Sequence, residues 1–171
     1  YEAREQLPAF EHYRLPEPPD HPRRDLLVCT HGTVDVACAR FGYPLYRHLR
    51  DRYQDDDLRI WRAAHFGGHV FAPTLIDLPS GHYWAYVTEP AAEQIVRRCG
   101  DVQAVSGHLR GWAGLADGFA QAADCAAWER EGWGWFDCAR TAQAIAPDES
   151  AAEPQRAMVR IDYTRPDGIS G

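Results

Sequence analysis

The sequence lacks any apolar run of the roughly 20 residues that a membrane-spanning helix needs, and no charged-then-apolar signal segment opens it. It also lacks an excess of positive charge, because 18 Lys and Arg face 25 Asp and Glu and the net charge is −7. This balance argues against nucleic acid or an anionic membrane surface as the main partner. It favours a basic docking patch on a partner protein instead. We therefore expect a soluble, cytoplasmic protein.

Cysteine spacing excludes several familiar kinds of site. The five cysteines, at positions 29, 38, 99, 125 and 138, lack the compact spacing of a small secreted disulfide protein. No two of them are separated by two residues, as a thioredoxin-type redox site requires. The eight residues between Cys29 and Cys38 are also too many for a zinc finger. Metal or cluster ligation by some of them, with the others buried as small apolar residues, is the better interpretation.

Two short pairs of candidate ligands lie close together in the chain. Cys29 and Cys38 bound the run CTHGTVDVAC, and His65 and His69 bound HFGGH. Each pair falls where a predicted strand gives way to a glycine-bearing loop, at which the backbone can bend and aim side chains at one point. Two thiolates and two imidazoles suit either a tetrahedral zinc ion or an iron–sulfur cluster. A Rieske centre mixes one Cys and one His in each loop, so the segregated pairs exclude that class.

Hydrophobic patterning predicts one α/β domain over residues 25–144. Its predicted elements are a strand at 25–30, a helix from Val36, a strand within 55–65, a hairpin over 70–87, a helix at 89–98 and a helix that ends at Gly132. Pro44 should break or restart the first helix. This order accommodates a thioredoxin-like α/β sandwich, in which helices flank a mixed central sheet.

Helical spacing also predicts which side chains are buried. The predicted buried face of the first helix consists of Val36, Ala37, Phe41, Leu45 and Leu49. That of the last helix consists of Leu115, Phe119, Ala122, Ala123 and Ala126.

The two ends of the chain are predicted to lie outside the domain. Residues 1–24 contain the charged, Pro-rich run LPEPPDHPRR, which cannot support a helix or a central strand. We expect an extended lead-in there. Residues 145–171 form a C-terminal extension with a candidate extra strand at 157–163.

Three motifs together resemble the sucrase/ferredoxin-like family: CTHGTVDVACARFG at 29–42, HFGGHVFAPTLIDLPSGHYWAYV at 65–87 and, more weakly, RGWAGLADGFAQAAD at 110–124. The resemblance implies a thioredoxin-like ferredoxin fold with a [2Fe–2S] cluster. The cluster ligands that it implies are Cys29, Cys38, His65 and His69. It also implies redox partner proteins, a reductase that donates electrons and an acceptor. The word sucrase in the family name has no support, because the sequence shows no carboxylate pair placed for glycoside hydrolysis.

Two functions from different classes remain open. One is an electron-transfer protein with a [2Fe–2S] cluster, acting as a one-electron carrier rather than an enzyme. The other is a zinc-bound structural or protein-interaction module that uses the same four ligands. A third option, in which the cluster itself senses or reduces a small oxidant, would need a pocket beside the histidines.

Several neighbours of the ligands are expected to support the site. Thr30, His31 and Gly32 would supply hydrogen bonds to the cluster sulfurs, which tune the reduction potential. Gly67 and Gly68 would allow a tight loop between the two histidines. The remaining cysteines and two further histidines are interpreted as structural: Cys99, Cys125, Cys138, His82 and His108.

Overall fold

The computed structural model describes residues 23–147 and 157–171. All but the last two residues of the predicted lead-in at 1–24 lie outside the described residues. No helix in the described ranges is both long and apolar enough to cross a membrane.

Strands and helices alternate over much of the chain. In order, the elements are β1 (Arg24–Cys29), α1 (Val36–Tyr53), β2 (Leu58–Ala63), β3 (Leu75–Leu78), β4 (His82–Trp84), α2 (Glu89–Arg97), β5 (Leu109–Trp112), α3 (Gly118–Glu131), β6 (Ala139–Pro147) and β7 (Ala157–Thr164). Short 3₁₀ turns occur at His69–Phe71, Val102–Ala104, Ser106–His108 and Trp133–Asp137.

The central sheet has five strands in the order β2-β1-β3-β4-β5. Strands β1 and β2 are parallel, whereas β1 with β3, β3 with β4, and β4 with β5 pair antiparallel. The sheet is therefore mixed, and the predicted α/β architecture with a mixed central sheet and flanking helices is confirmed. Pro73 precedes β3 rather than lying within it.

A second sheet consists of β6 and β7 alone, paired antiparallel. Strand β7 corresponds to the candidate strand at 157–163. Its partner β6 spans the predicted boundary between residues 144 and 145. The hairpin packs on α3, so the C-terminal residues contact the same body as the central sheet.

The core lies where α1, α2 and α3 meet one face of the central sheet. Its largest buried side chains from the sheet are Leu26, Val28, Ile60, Leu75 and Trp84. Those from the helices are Leu45, Leu49, Ile95 and Trp128. Leu26 and Val28 are fully buried, whereas Asp25 before them and Leu27 between them are partly exposed, which is the pattern of a strand with its more buried face toward the core.

Helix α1 begins after a capping residue and continues past the break predicted at Pro44. Asp35 caps it, since its carboxylate accepts a hydrogen bond of 2.7 Å from the backbone N–H of Ala37. The helix continues through Pro44, so the predicted break was wrong. Pro44 cannot donate to the carbonyl of Arg40, but both residues lie on the exposed side, where water can satisfy that carbonyl.

The predicted buried faces of α1 and α3 need correction. In α1, Leu45 and Leu49 are buried as expected, but Val36 is 72% and Phe41 48% exposed. Helix α3 buries Ala120, Asp124, Ala127 and Trp128 rather than the predicted set, of which Ala122 and Ala126 are exposed. The α3 face was misread because its centre is a carboxylate, which a hydrophobic pattern assigns to solvent.

A buried ion pair explains that carboxylate. Nε of Arg140 on β6 donates to Asp124 at 2.6 Å, and both side chains are almost fully buried. The guanidinium lies 4.2 Å from the ring centroid of Trp112 and 5.3 Å from that of Trp135. A second guanidinium nitrogen lies 3.3 Å from Nε2 of His82. Through these contacts Arg140 attaches the β6–β7 hairpin to Asp124 of α3 and to His82 of β4.

Candidate metal centre

Three predicted ligands come from three different elements and meet at one edge of the sheet. Cys29 is the last residue of β1, Cys38 lies in the first turn of α1, and His65 follows the end of β2. Because β1 and β2 are parallel, their carboxyl ends meet, and Cys29 pairs with Ala63, two residues before His65. Both cysteines are only 1% exposed, and His65 is half-buried.

Gly42 brings the two cysteines together. It is buried on α1, and a Cβ added there would overlap the backbone carbonyl of Cys29. A glycine is therefore needed for α1 to cross the end of β1 in contact, one turn after Cys38. The sequence carries one signal for this residue, a glycine on the helical stripe that contains Cys38, Leu45 and Leu49.

The donor atoms lie at ligand-like separations. Nδ1 of His65 is 4.0 Å from Sγ of Cys29 and 3.7 Å from Sγ of Cys38. All three donor atoms lie within 4.8 Å of one another. Sulfur and imidazole nitrogen bound to one tetrahedral zinc would be about 3.6 Å apart, from zinc bonds of about 2.3 and 2.0–2.1 Å. Among the described residues, this is the only group of three such side chains that could hold a metal ion.

The surroundings of Cys38 keep its thiol neutral unless a cation binds beside it. Burial, together with the neighbouring Cys29 thiol and the Asp35 carboxylate, raises the pKa of the Cys38 thiol to about 11. A metal ion supplies the positive charge that a buried thiolate needs, and a coordinated thiol is deprotonated outright. Two such sulfurs and an imidazole fit the donor set of a histidine-ligated [2Fe–2S] cluster, and they fit zinc as well.

The fourth predicted ligand, His69, has its side chain outside the described part of the structure. Its backbone begins the 3₁₀ turn His69–Phe71. The preceding Gly67 and Gly68 have φ of +94° and +77°, a region that side chains other than glycine rarely adopt. The tight loop expected from the two glycines is therefore present, whereas ligation by His69 stays a prediction.

The three residues after Cys29 differ in their contacts. The hydroxyl of Thr30 is buried and accepts a hydrogen bond of 3.3 Å from Nε of Arg62. Nδ1 of His31 is buried and has no hydrogen-bond partner within the described ranges. A buried polar atom of this kind fits a donor to a bound group. A Cβ at Gly32 would come within 2.9 Å of Ala39, so this position holds the loop close to α1.

The other cysteines and histidines are not gathered into a second donor group within the described residues. All five cysteines are free; Cys99 is exposed, Cys125 half-buried and Cys138 buried. His82 is buried against Phe136, and Nδ1 of His108 lies 3.0 Å from the carbonyl oxygen of Ala85. The structural role expected for these five residues stays a prediction.

Solved structures with a similar chain path are thioredoxin-like [2Fe–2S] ferredoxins from Aquifex aeolicus. One is 12% identical, covers 53% of this chain and 93% of its own, and superposes with a TM-score of 0.45. A crystal structure of the wild-type ferredoxin is 13% identical, covers 52% of this chain and 97% of its own, with a TM-score of 0.43. No curated protein matches the chain.

The family described as Sucrase/ferredoxin-like matches residues 3–111, which include both ligand pairs. This match extends over more than half of the 171 residues. The chain therefore belongs to the sucrase/ferredoxin-like family.

Proposed function

We propose that this protein is an electron carrier with a [2Fe–2S] cluster held by Cys29, Cys38, His65 and His69. The observation that carries the proposal is the meeting of two buried cysteine sulfurs and one imidazole nitrogen at the carboxyl ends of β1 and β2. Family membership supports it, because the matched residues contain all four ligands. We infer a one-electron carrier rather than an enzyme.

The burial of the ligands suits such a carrier. A bound [2Fe–2S] cluster would supply a site that accepts and releases one electron at a time. Cys29 and Cys38 are almost fully buried and would keep water from the sulfur side. His65 is half-buried, so its imidazole reaches toward the surface, where a partner protein could approach. The partners would be a reductase that donates electrons and a protein that accepts them.

The decisive experiment is the analysis of protein purified without air. We expect two irons and two sulfides per chain, broad visible absorption bands and bleaching of those bands by dithionite. Cys38→Ser should abolish the bands, whereas Cys99→Ser, which changes an exposed cysteine, should retain them. His69→Ala should lose the bands as His65→Ala does. A colourless protein after anaerobic cluster reconstitution would refute the proposal.

A zinc-bound structural module is the second candidate, and one observation favours it. The separations of 3.7 and 4.0 Å are close to those expected for ligands of a single ion. Ligands on the two irons of a cluster are separated by both irons and the bridging sulfides, so that arrangement requires wider spacing for at least one donor. One zinc per chain, with no visible absorption and no redox response, would establish this alternative.

A further inference from the structure

Four exposed apolar side chains lie on the segments that carry the candidate ligands. Val34 and Val36 precede Cys38 and are 57% and 72% exposed, and Phe41, on the next turn of α1, is 48% exposed. Val70 directly follows His69 and is 64% exposed. The turn that contains Val70 packs against α1, which brings the two segments side by side. We call these four residues, with the arginines described next, the ligand face.

Three exposed arginines rim this apolar surface. Arg40 lies two residues after Cys38, with its guanidinium 5.5 Å from the ring centroid of Phe41. Arg62 donates to Thr30, which follows Cys29, and lies 5.4 Å from the ring centroid of Tyr43.

The third arginine, Arg110, comes from β5 on the far side of the loop. It lies 4.5 Å from the ring centroid of Phe71, and a Cβ added at Gly68 would meet its guanidinium. The three cations thus come from three different elements, and each lies beside a ligand-bearing segment. Their contacts with aromatic rings hold them over apolar surface, where an incoming carboxylate can reach them.

Among the residues that the structure describes, the run of three consecutive acidic residues lies away from the ligand face. Asp35, by contrast, lies close to it, because its carboxylate caps α1 three residues before Cys38. The acidic run Asp55–Asp57 precedes β2, at the end of the strand opposite Ala63. Strand β2 has six residues, and its five steps of about 3.3 Å place the run at least about 17 Å from the ligand end. This exceeds the Debye length of about 8 Å at physiological salt, so the charge of this run is largely screened at the ligand face, where the three arginines outnumber Asp35.

We propose that the ligand face docks a redox partner whose contact surface places carboxylates around an apolar centre. The inference rests on the proposed electron-transfer function and adds the chemistry of the partner to it. An apolar centre with a charged rim is the usual composition of a protein interface, and charge complementarity sets its orientation and association rate. The net charge of −7 alone predicts a basic partner. The local distribution of charge favours an acidic one.

Two inert paramagnetic ions of opposite charge test the sign of the field at this face. Hexacyanochromate(III), an anion, should broaden the amide NMR signals of Phe41, Val70 and Gly111. Hexaamminechromium(III), a cation, should broaden those of Asp55–Asp57 instead. The purified protein is used as it is, and electron transfer is not needed for the readout. Preferential broadening of the ligand-face signals by the cation would overturn the proposal.

Electron-transfer kinetics test whether the face governs docking. The rate at which dithionite-reduced protein reduces ferricyanide should fall with rising ionic strength, whereas the rate with a cationic cobalt(III) complex should rise. Arg40→Gln should slow the reaction with the anion roughly two- to fivefold at low salt, the effect of one unit charge several ångströms from the probe. The matched control Arg130→Gln removes an exposed arginine of α3 and should leave the rate unchanged.

Failure of this inference and failure of the proposed function give different results. Normal redox bleaching with rates that favour the cation, or that ignore Arg40→Gln, would overturn the docking chemistry and leave the carrier function intact. A concentration-dependent dimer that Arg40→Gln dissociates would assign the face to a second copy of the chain and would also overturn it. A colourless protein would refute the carrier function, whatever the NMR probes report.

Discussion

Lowering the pH from 7 to 5 should destabilise the fold through one buried histidine. The ring of His82 is 1% exposed and stacks on Phe136 with 3.7 Å between ring centroids. Its Nε2 lies 3.3 Å from a guanidinium nitrogen of Arg140, an arrangement in which the neutral imidazole accepts the hydrogen bond. Burial, followed by the positive charges of Arg140, Arg98 and Arg24, lowers the pKa of His82 to about 3.

The direction of the effect follows from proton binding. In the unfolded chain a histidine has a pKa of about 6.5, so between pH 6.5 and about 3 the unfolded state binds a proton that the folded state excludes. This contribution to stability is complete above pH 6.5 and is lost as the pH falls toward 3. The loss is about 2 kcal/mol at pH 5 and about 5 kcal/mol in full, at about 1.4 kcal/mol per pKa unit.

The assay is urea unfolding at pH 7 and pH 5 for the wild type and for His82→Gln. Two carboxylates face the same pocket, Asp77 paired with Arg24 and Asp124 paired with Arg140. They are present in both proteins, so their contribution cancels in the comparison. The wild type should lose about 2 kcal/mol more than the variant between the two pH values. Equal losses, or an NMR titration of the His82 ring with a midpoint near 6, would refute the reasoning.

Three further predictions concern the scaffold of the site. Gly42→Ala should lower the free energy of unfolding by about 1–3 kcal/mol and reduce the metal content, because its methyl group overlaps the carbonyl of Cys29. The control Gly118→Ala should change neither quantity, because its methyl group meets no atom within 4 Å. Asp124→Asn should cost about 3–5 kcal/mol in urea unfolding, since it leaves the charge of Arg140 buried and unpaired. Removal of the proposed metal group with a chelator should lower the Tm in a thermal melt, because ligands from separate elements would then no longer be held together.

Much of the fold could be predicted because its signals are local. The apolar run at 26–29 predicts a short strand that β1 confirms, and glycine after the last helix predicts its end at Gly132. Pro44 misled the prediction because a proline removes only one hydrogen bond, and on the exposed side of α1 water can replace it. The face of α3 was mispredicted because Asp124 is buried by a residue far away in the sequence.

The sequence predicted which donor side chains lie together, but it did not predict which other residues surround them. The spacing of Cys29, Cys38 and His65 pointed to a shared metal, and these donors lie together in the structure. Gly42 and the arginines were not predicted as neighbours of the site, because their role depends on how α1 and β5 meet the ligand loops. A net charge, likewise, says nothing about where along a strand the charges of each sign accumulate.

The anchoring of β6 by Arg140 has a consequence for synthesis on the ribosome. Arg140 contacts His82, which is made 58 residues earlier, and it neutralises Asp124, which is made 16 residues earlier. Until Arg140 emerges, the carboxylate of Asp124 has no cation with which to enter the interior. The segments that carry Cys29, Cys38 and His65 are synthesised well before Arg140. In a nascent chain the proposed metal ligands would therefore be available before the core can form completely.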